Sequence, residues 1–354
     1  MTDKHIFSAQ DCDHGIYLLE KSMSFMWAAA LRSVTLLGVA EHLTSGPKSC
    51  DELADMLKLD AQALLRVMRI LASGAVFKEF PEGYFSLTPA AHFLCKDHSH
   101  SLRSAILMLT DKTFWEPAGH LDRALKGEDV FSSLFGMPFY DYWTKEKHSR
   151  GEYDFHAGMS SMSTVENEII ADAYDFPHGA TVADIAGGYG NLLLRVLRKD
   201  SSLRGILFDQ SDILSKNVLH QLKDDTRWDT VSGSFFEKCP TADIYMLKYI
   251  LMDWSDEKAC QILSSCRRAM RADSKLLIIE PVIKDKDNED GRYEIDMLLL
   301  ASFDGGQART EQALGKMLDG ADLKISNIIH TQLFIHSGGS NQVNLYLDSG
   351  FLVS

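Results

Sequence analysis

Apolar residues recur at helical spacing in the first part of the chain. Residues 17–43 carry them three and four positions apart and predict a long helix, with Gly38 as a weak point or boundary. Ser49 and Glu52 have the spacing of a capping box, in which each side chain accepts the backbone N–H of the other residue, so a helix is expected to start there. Another helix is predicted over about 60–72.

A short hairpin is predicted after these helices. Gly74 stops the last of them, and two short strands flank the Pro-Glu-Gly turn at 81–83. Helix, helix and hairpin is the order of a winged-helix domain. Many winged helices bind DNA, but their recognition helix presents several basic side chains, and this one offers only Arg66 and Arg69. The pattern therefore favours dimerisation or the framing of a substrate pocket.

The pattern of apolar positions changes half-way along the chain. Residues 100–175 are predicted to be helical and are rich in aromatic side chains, and the Pro-His-Gly tripeptide at 177–179 interrupts them. From Thr181 onward, short apolar runs alternate with helical stretches, which predicts a parallel sheet with helices on both faces. We therefore expect a helical N-terminal domain at 1–177 and an α/β domain at 178–354.

Composition and charge narrow the class of protein. The 354 residues include 36 Lys and Arg against 50 Asp and Glu, which gives a net charge of −14. This excess of acid argues against binding to nucleic acid, which needs basic patches. The N-terminal residues lack the apolar core of a signal peptide, and no apolar run approaches the roughly 20 residues that span a bilayer. The 6 cysteines are scattered without a Cys-x-x-Cys pair. We expect a cytoplasmic protein with no membrane segment and no metal site.

A glycine-rich turn follows the first predicted strand of the α/β domain. The strand ends at Asp184, and Gly187, Gly188 and Gly190 lead into the predicted helix LLLRVLRK. Glycines let the backbone pass close to a ligand, and a helix N-terminus presents free N–H groups. A dinucleotide-binding turn would have its third glycine where this chain has Leu193. The turn therefore fits a small zwitterionic nucleoside better than a pyrophosphate.

An acidic residue ends the next predicted strand, ILFD. In other nucleoside-binding doubly wound sheets, an acid at this place binds the two hydroxyls of a ribose. Asp209 has this placement, about 25 residues after Asp184. Turn and acid together predict a ribose-containing ligand at this edge of the sheet.

Five segments carry a resemblance to a known family. They are DIAGGYGNLL (184–193), LFDQSDIL (207–214), GSFFEKCPTADIYMLKYILMDWSDEKACQIL (233–263), LLIIEPV (276–282) and DMLLLASFDGGQART (296–310). In order and spacing the chain resembles the class I S-adenosylmethionine-dependent O-methyltransferases of small-molecule metabolism, of the hydroxyindole, caffeate and bacterial polyketide types. The resemblance covers nearly the whole chain. It implies a Rossmann-like α/β domain that binds S-adenosylmethionine, preceded by an all-helical dimerisation domain of winged-helix type.

The resemblance also implies which residues hold S-adenosylmethionine. Asp209 would bind the ribose, Ser234 and Phe235 would flank the adenine, and Ser234 stands where the family usually has an acid. Ala186 replaces the usual first glycine of the turn, and we expect cofactor binding to survive both departures. The expected cofactor-binding residues are Asp184, Gly187, Gly188, Gly190, Asp209, Ser234, Phe235 and Lys248.

The expected catalytic positions depart further from the family. In O-methylating members a histidine general base precedes the Asp-Trp pair, and such a base speeds proton transfer roughly 10²–10⁴-fold. Met252 stands at that position here, and a thioether does not take a proton at physiological pH. Glu280, one of two acids that orient the histidine, is kept, whereas Ala308 replaces the other. The resemblance thus implies a mechanism without a histidine base.

Three functions are compatible with this loss. The principal hypothesis is a methyltransferase that acts on a small aromatic or polyketide-like secondary metabolite, at a nitrogen, a carbon or an acidic oxygen that needs only alignment with the methyl group. The second is a non-methylating enzyme of the pericyclase, hydroxylase or decarboxylase type, which would use the sulfonium as a fixed charge. The third is a catalytically inactive binding subunit.

The acceptor site is expected between the two domains. Its Met-rich and aromatic walls favour a flat, apolar molecule. By resemblance, its lining residues are Trp115, Phe155, Met159, Met162, Met252, Leu299 and Phe303. His156 and His120 are candidates for a substitute acid or base, with Tyr249 and Arg309 as further polar candidates, whereas Asp253 and Trp254 are expected to fix the loop after the strand.

The expected partners are a second copy of the chain and a small-molecule acceptor. The apolar stripe of 17–43 is too hydrophobic to lie bare on a monomer, and members of the resembling family exchange N-terminal helices between protomers. We expect a homodimer that binds neither nucleic acid nor membrane.

Overall fold

The chain folds into two compact units, residues Met1–Thr110 and Asp111–Ser354. The computed structural model describes residues 9–145, 155–283, 293–331 and 343–348. Within these ranges, no helix is both long enough and apolar enough to cross a membrane.

The first unit combines helices with a small antiparallel sheet. Its helices are α1 (Ala9–Ser22), α2 (Phe25–Leu37), α3 (Val39–His42), α4 (Cys50–Leu57), α5 (Ala61–Ser73), α6 (Pro89–His92) and α7 (Arg103–Leu109). Its strands are β1 (Lys48–Ser49), β2 (Phe77–Phe80) and β3 (Tyr84–Leu87), in the order β1-β3-β2. The predicted hairpin is thus present as β2 and β3, and a third short strand joins it, so the unit is not all-helical.

Local signals of the sequence explain where these helices begin and end. Gly38 takes a left-handed φ of 69° and ends α2, as expected of a boundary. Ser49 and Glu52 form the predicted capping box at the start of α4, with the Ser49 N–H donating to the Glu52 carboxylate at 2.7 Å. Asp60 caps α5 by accepting the N–H of Ala63.

The second unit is an α/β domain. Its helices are α8 (Lys112–Ala118), α9 (Leu121–Ala124), α10 (Val130–Phe135), α11 (Phe139–Lys145), α12 (Phe155–Ser163), α13 (Asn167–Ala173), α14 (Asn191–Lys199), α15 (Ser211–Leu214), α16 (Asp256–Ala269), α17 (Tyr293–Ser302) and α18 (Glu311–Gly320). Its strands are β4 (Thr181–Ile185), β5 (Arg204–Asp209), β6 (Trp228–Ser232), β7 (Ile244–Lys248), β8 (Lys275–Ile283), β9 (Arg309–Thr310), β10 (Ile325–Thr331) and β11 (Val343–Asp348).

The sheet of this unit is mainly parallel, as predicted. The strand order is β10-β11-β8-β7-β4-β5-β6, and β9 pairs with β8. Neighbours from β8 to β6 run parallel, whereas β11 is antiparallel to both β8 and β10. Alternate residues of the buried strands point to opposite faces, where they join two apolar clusters. The chain order reverses between β4 and β7, and ligands of doubly wound sheets bind at such a point.

The two units divide the chain at a different place from the predicted boundary near 178. Residues between 111 and 177 belong to the second unit, where α8 packs on α17 and α13 packs on α14. The helical pattern ends near 178, but the apolar faces of these helices are buried by the α/β domain. The change of pattern therefore marks a change of secondary structure and not a limit of packing.

Candidate active site

A cavity of about 390 Å³ opens at the carboxyl ends of β4, β5 and β7. Asp184, Asp209 and Lys248 lie at these strand ends, and α11 and α12 supply aromatic side chains to the same wall. All the lining residues belong to the second unit. The cavity lies where the chain order of the sheet reverses, which makes it the candidate active site.

The turn after β4 brings backbone close to the cavity. A Cβ added at Gly187 would lie 2.5 Å from the Asp184 carboxyl carbon and 2.6 Å from a methyl carbon of Leu207. Gly190 takes a φ of 80° just before α14, and Ala186 takes a left-handed φ of 55°. A left-handed backbone brings the Cβ atom of any other residue too close to the backbone and raises the free energy of the folded state, whereas glycine has no Cβ and avoids this cost. The alanine at position 186 is therefore strained.

Asp209 fixes the turn from the neighbouring strand. Its carboxylate accepts the N–H of Gly188 at 2.9 Å and the N–H of Gln210 at 2.7 Å. Burial raises the pKa of Asp209, and these two N–H groups oppose the rise. Each oxygen keeps further acceptor capacity, so the carboxylate is placed to bind two adjacent hydroxyls of a ribose.

Asp184 presents an unsatisfied oxygen at the cavity. The residue is 2% exposed, and its Oδ2 atom has no hydrogen-bond partner among the residues that the structure describes. Burial raises the pKa of Asp184 to about 7, while the charge of Lys248 lowers it. An unpaired buried carboxyl oxygen is costly. A ligand with an ammonium or N–H donor at this point would satisfy it.

Lys248 is held by a buried polar network. Its ammonium nitrogen lies 2.8 Å from Glu166 Oε2 and donates to Ser163 Oγ, also at 2.8 Å. The Tyr249 hydroxyl donates to the other oxygen of Glu166 at 3.1 Å. Helix α12 and the start of α13 are thereby tied to the end of β7. The sequence candidate Tyr249 thus contributes to the wall and to this network.

The remaining wall is aromatic and contains one further acid. Tyr140 stacks on Trp254 with ring centroids 5.6 Å apart, and Phe155 packs edge-on against Tyr140 at 5.9 Å. The Tyr140 hydroxyl donates to Oδ2 of Asp253. Burial raises the pKa of Asp253 to about 8, against the effect of this hydrogen bond. Asp253 and Trp254, which were expected only to fix the loop, line the cavity themselves.

Comparison with known proteins identifies the family. Residues 119–324 match the O-methyltransferase domain family, and residues 19–97 match the O-methyltransferase dimerisation domain. The phenazine O-methyltransferase PhzM of Lysobacter antibioticus is 32% identical to this chain over 317 residues, which are 89% of this chain and 92% of that protein. This chain belongs to the O-methyltransferase family. The resemblance inferred from the five sequence segments is confirmed.

Solved structures agree with this assignment. CalO1, a methyltransferase of calicheamicin biosynthesis crystallised in its SAH-bound form, matches with a TM-score of 0.84 and 33% identity, over 96% of this chain and 99% of CalO1. The N,N-8-amino-8-demethyl-D-riboflavin dimethyltransferase RosA of Streptomyces davawensis matches with a TM-score of 0.72 and 26% identity, over 94% and 98% of the two chains. The Rossmann-like methyltransferase fold is thus confirmed, with a helical dimerisation domain before it. S-adenosylmethionine is the cofactor of this O-methyltransferase chain.

The cavity fits that cofactor. The orphaned oxygen of Asp184 suits the amino group of its methionine part, the narrow turn at Gly187 admits backbone contact, and Asp209 suits its ribose. The predicted cofactor residues in the wall are Asp184, Gly187, Gly188, Asp209, Ser234, Phe235 and Lys248. Gly190 lies outside the wall, at the start of α14, where it shapes the turn.

The predicted acceptor residues are only partly in the wall. Phe155, His156 and Met159 line the cavity from α12. Phe303 lies behind the wall, with its ring 4.4 Å from that of Phe139. The predicted acceptor residues that do not line this cavity are Trp115, Met162, Met252, Leu299 and Phe303. Trp115 lies on α8 and Leu299 is buried on α17, and their role toward an acceptor stays a prediction. His120 is exposed before α9 and lies outside the cavity wall.

Met252 and Glu280 belong to the support of the loop after β7. The Met252 N–H donates to Glu280 Oε1 at 3.1 Å, and burial raises the pKa of Glu280 to about 7. Arg309 donates to the carbonyl oxygens of Leu251 and Trp254, each at 2.7 Å. Glu280 and Arg309 therefore hold the loop and do not line the cavity. That Met252 replaces a histidine base stays a prediction from the motif.

Sequence reasoning missed Tyr140, Trp143 and Glu166. Tyr140 and Trp143 lie three positions apart in the aromatic-rich stretch, so their shared helical face was available as a signal. Glu166 meets Lys248 across 82 residues of chain, and no local pattern marks that contact.

Proposed function

We propose that this O-methyltransferase chain transfers a methyl group from S-adenosylmethionine to a small, flat aromatic or polyketide-like secondary metabolite. The observation that carries the proposal is the composition of the cavity. Strand ends suited to the cofactor and the aromatic side chains Tyr140, Trp143 and Phe155 border the same space of about 390 Å³. A planar apolar acceptor would stack on that wall beside the bound cofactor.

The acceptor atom we propose is a nitrogen, a carbon or an acidic oxygen. S-adenosylmethionine supplies an electrophilic methyl group on a positively charged sulfur. With methionine at position 252, alignment of an already nucleophilic atom supplies most of the rate enhancement. The named relatives include one that acts on phenazines and one that methylates an amino group. The non-methylating and inactive alternatives find no support among these relatives.

We further propose a cytoplasmic homodimer that binds no nucleic acid. The match of residues 19–97 to the dimerisation domain and the apolar side chains exposed on α1 and α2 support the homodimer. The order α4, α5, β2, β3 supports a winged-helix type for this unit. The net charge of −14 supports the exclusion of nucleic acid.

Binding of the cofactor is tested by titration calorimetry with S-adenosylmethionine. We expect the wild-type protein to bind and the D209A variant to lose binding, because it loses the carboxylate that faces the ribose. D225A removes an exposed carboxylate from the same unit and is expected to bind as the wild type does. A wild-type protein without affinity for S-adenosylmethionine would refute the proposal.

Methyl transfer is tested with cofactor labelled in its methyl group. A panel of hydroxy- and amino-substituted naphthalenes and phenazines is incubated with the protein, and labelled products are separated by chromatography. Label in an aromatic product supports the proposal. Conversion of an acceptor without transfer of label would favour the sulfonium-as-charge alternative, and cofactor binding without any conversion would favour an inactive subunit.

A further inference from the structure

We propose that Asp253, oriented by Tyr140, takes the proton from the acceptor hydroxyl, a role that the family resemblance gives to a histidine. The inference rests on the proposed methyl transfer and assigns its proton acceptor. It extends the proposed acceptors to weakly acidic phenols, which need a base and which alignment alone would not activate.

The geometry separates the two oxygens of Asp253. Asp253 lines the cavity from the short 3₁₀ turn Leu251–Asp253, which follows the strand end that carries Lys248. Oδ2 accepts the hydroxyl of Tyr140. No hydrogen bond to Oδ1 is found within the part of the chain that the structure describes. Oδ1 is therefore the oxygen available to an acceptor hydroxyl.

Tyr140 is suited to hold the carboxylate without competing for the proton. Burial and the neighbouring Asp253 charge raise the pKa of Tyr140 well above its ordinary value, so its hydroxyl remains a donor. Its ring is fixed between the stacked ring of Trp254 and the edge of Phe155. Tyr140 is accordingly a positioning residue, and Asp253 is the group that meets the acceptor.

The charges around Asp253 favour a base that works near neutral pH. The negative charge of Glu280 raises the pKa of Asp253, and that of Asp209 raises the pKa of Tyr140. Two cations lie near the same loop: Arg309 donates to the carbonyl oxygen of Leu251, and the Lys258 ammonium lies 5.3 Å from the centre of the Trp254 ring. Burial is the largest influence and raises the pKa of Asp253 to about 8. A general base is most effective when its pKa lies near the working pH.

The other two carboxylates of the wall have different partners. Asp209 accepts two backbone N–H groups at the ribose position, and Asp184 lies beside Lys248 under the glycine-rich turn. His156 lies 6.1 Å from the ring of Tyr189, which belongs to that same turn. Asp209 and Asp184 line the cofactor part of the cavity, whereas Asp253 lies among the aromatic rings of α11 and α12. His156 also lies near these rings, 5.6 Å from the ring of Phe155, and is tested by its own variant below.

The step balances without another reactant. The acceptor oxygen forms a bond to the methyl carbon as its proton passes to Oδ1 of Asp253. The carbon–sulfur bond breaks, its electron pair stays on sulfur, and the positive charge of the sulfonium is replaced by the proton. The proton leaves Asp253 to solvent when the product departs.

The test compares two phenols of different acidity, 1-naphthol and 4-nitro-1-naphthol. D253N should lower methylation of 1-naphthol by roughly 10²–10⁴-fold and of the readily ionised nitro compound by less than about tenfold, because only the former needs a base. Y140F should shift the pH profile for 1-naphthol without removing activity. E257Q, at an exposed acid four residues away, should match the wild type. Equal losses on both phenols, or a selective loss in H156Q instead of D253N, would overturn the assignment.

A second measurement does not depend on turnover. Infrared difference spectra of wild type minus D253N, recorded with S-adenosylhomocysteine bound, should show a carboxyl band that titrates well above the ordinary range of aspartate. A band that titrates in the ordinary range would overturn the proposal even if neither naphthol is methylated. Calorimetry on D253N separates the two levels of inference. If D253N binds the cofactor and transfers the methyl group as fast as the wild type, the role of Asp253 as proton acceptor is wrong but the proposed function stands. If the wild-type protein does not bind the cofactor, the proposed function itself is wrong.

Discussion

The ammonium group of Lys248 is buried between two oxygens that come from a distant part of the chain. Glu166 and Ser163 approach it at 2.8 Å each, and the side chains of Lys248 and Glu166 are 9% and 6% exposed. A buried charge without its partner is far more costly than a buried pair. The wall therefore depends on both partners of this ion pair even before any cofactor binds.

We expect K248M to lower the free energy of unfolding by about 3–5 kcal/mol, because it leaves Glu166 as an uncompensated buried charge. Urea denaturation of the cofactor-free protein measures this change. K126M provides the control, since Lys126 pairs with Asp122 where both side chains are about two-thirds exposed, and such pairs contribute about 1 kcal/mol or less. Equal effects of the two substitutions would contradict the argument.

A residue of the site could be predicted from the sequence when its position at the end of a predicted strand was enough to locate it. Asp184 and Asp209 end apolar strands, and the carboxyl ends of neighbouring parallel strands meet at one edge of a sheet. The Tyr140 hydroxyl meets Asp253 across 113 residues of chain. That contact depends on how α11 packs against the loop after β7, which no local spacing encodes. The acid–phenol pair therefore appears only in three dimensions.

At the scale of elements, the turn between β4 and α14 shows how packing and binding depend on the same atoms. We expect G187A to lower the free energy of unfolding by about 1–3 kcal/mol, because the new methyl group would overlap Asp184 and Leu207. It should also weaken binding of S-adenosylmethionine, because relief of the overlap moves the turn. Denaturation and calorimetry measure the two effects.

The matched substitution for G187A is G320A at the end of α18. Gly320 has open space around the position of a Cβ and no left-handed φ. We expect the G320A variant to keep the cofactor affinity of the wild type and to be equally stable or more stable by up to about 1 kcal/mol, because alanine restricts the unfolded chain. A G187A variant that behaves like G320A would show that the turn absorbs a methyl group without moving.

Elements with strong local signals were predicted with little error. The hairpin at 81–83, the cap of α4 and the parallel strands β4, β5, β7 and β8 are all present. The long helix expected over 17–43 is divided at Met23–Ser24 as well as at Gly38. The break at 23–24 has no glycine or proline, and its apolar residues keep helical spacing on both sides. The helical spacing of apolar residues alone therefore does not predict this break.

At the scale of the whole molecule, the two compact units differ in how far their apolar side chains are buried. The second unit buries the aromatic helices between 111 and 177 around its sheet, which moves the limit between units well before the predicted 178. The first unit leaves several large apolar side chains of α1 and α2 exposed. Exposed apolar patches of this kind mark interaction surfaces, which supports the proposed homodimer.

The homodimer can therefore be tested on α1. Leu19, a residue of α1, is 66% exposed. If α1 forms the interface of the proposed dimer, L19E places a charge there and is expected to shift the protein to monomer in sedimentation velocity. A weakening of about 3 kcal/mol would raise the dissociation constant roughly 150-fold. L125E changes a leucine that is 81% exposed on the second unit and should leave the dimer intact. A monomeric wild-type protein, or dissociation by L125E and not by L19E, would show that the apolar face of α1 is covered by something other than a second copy.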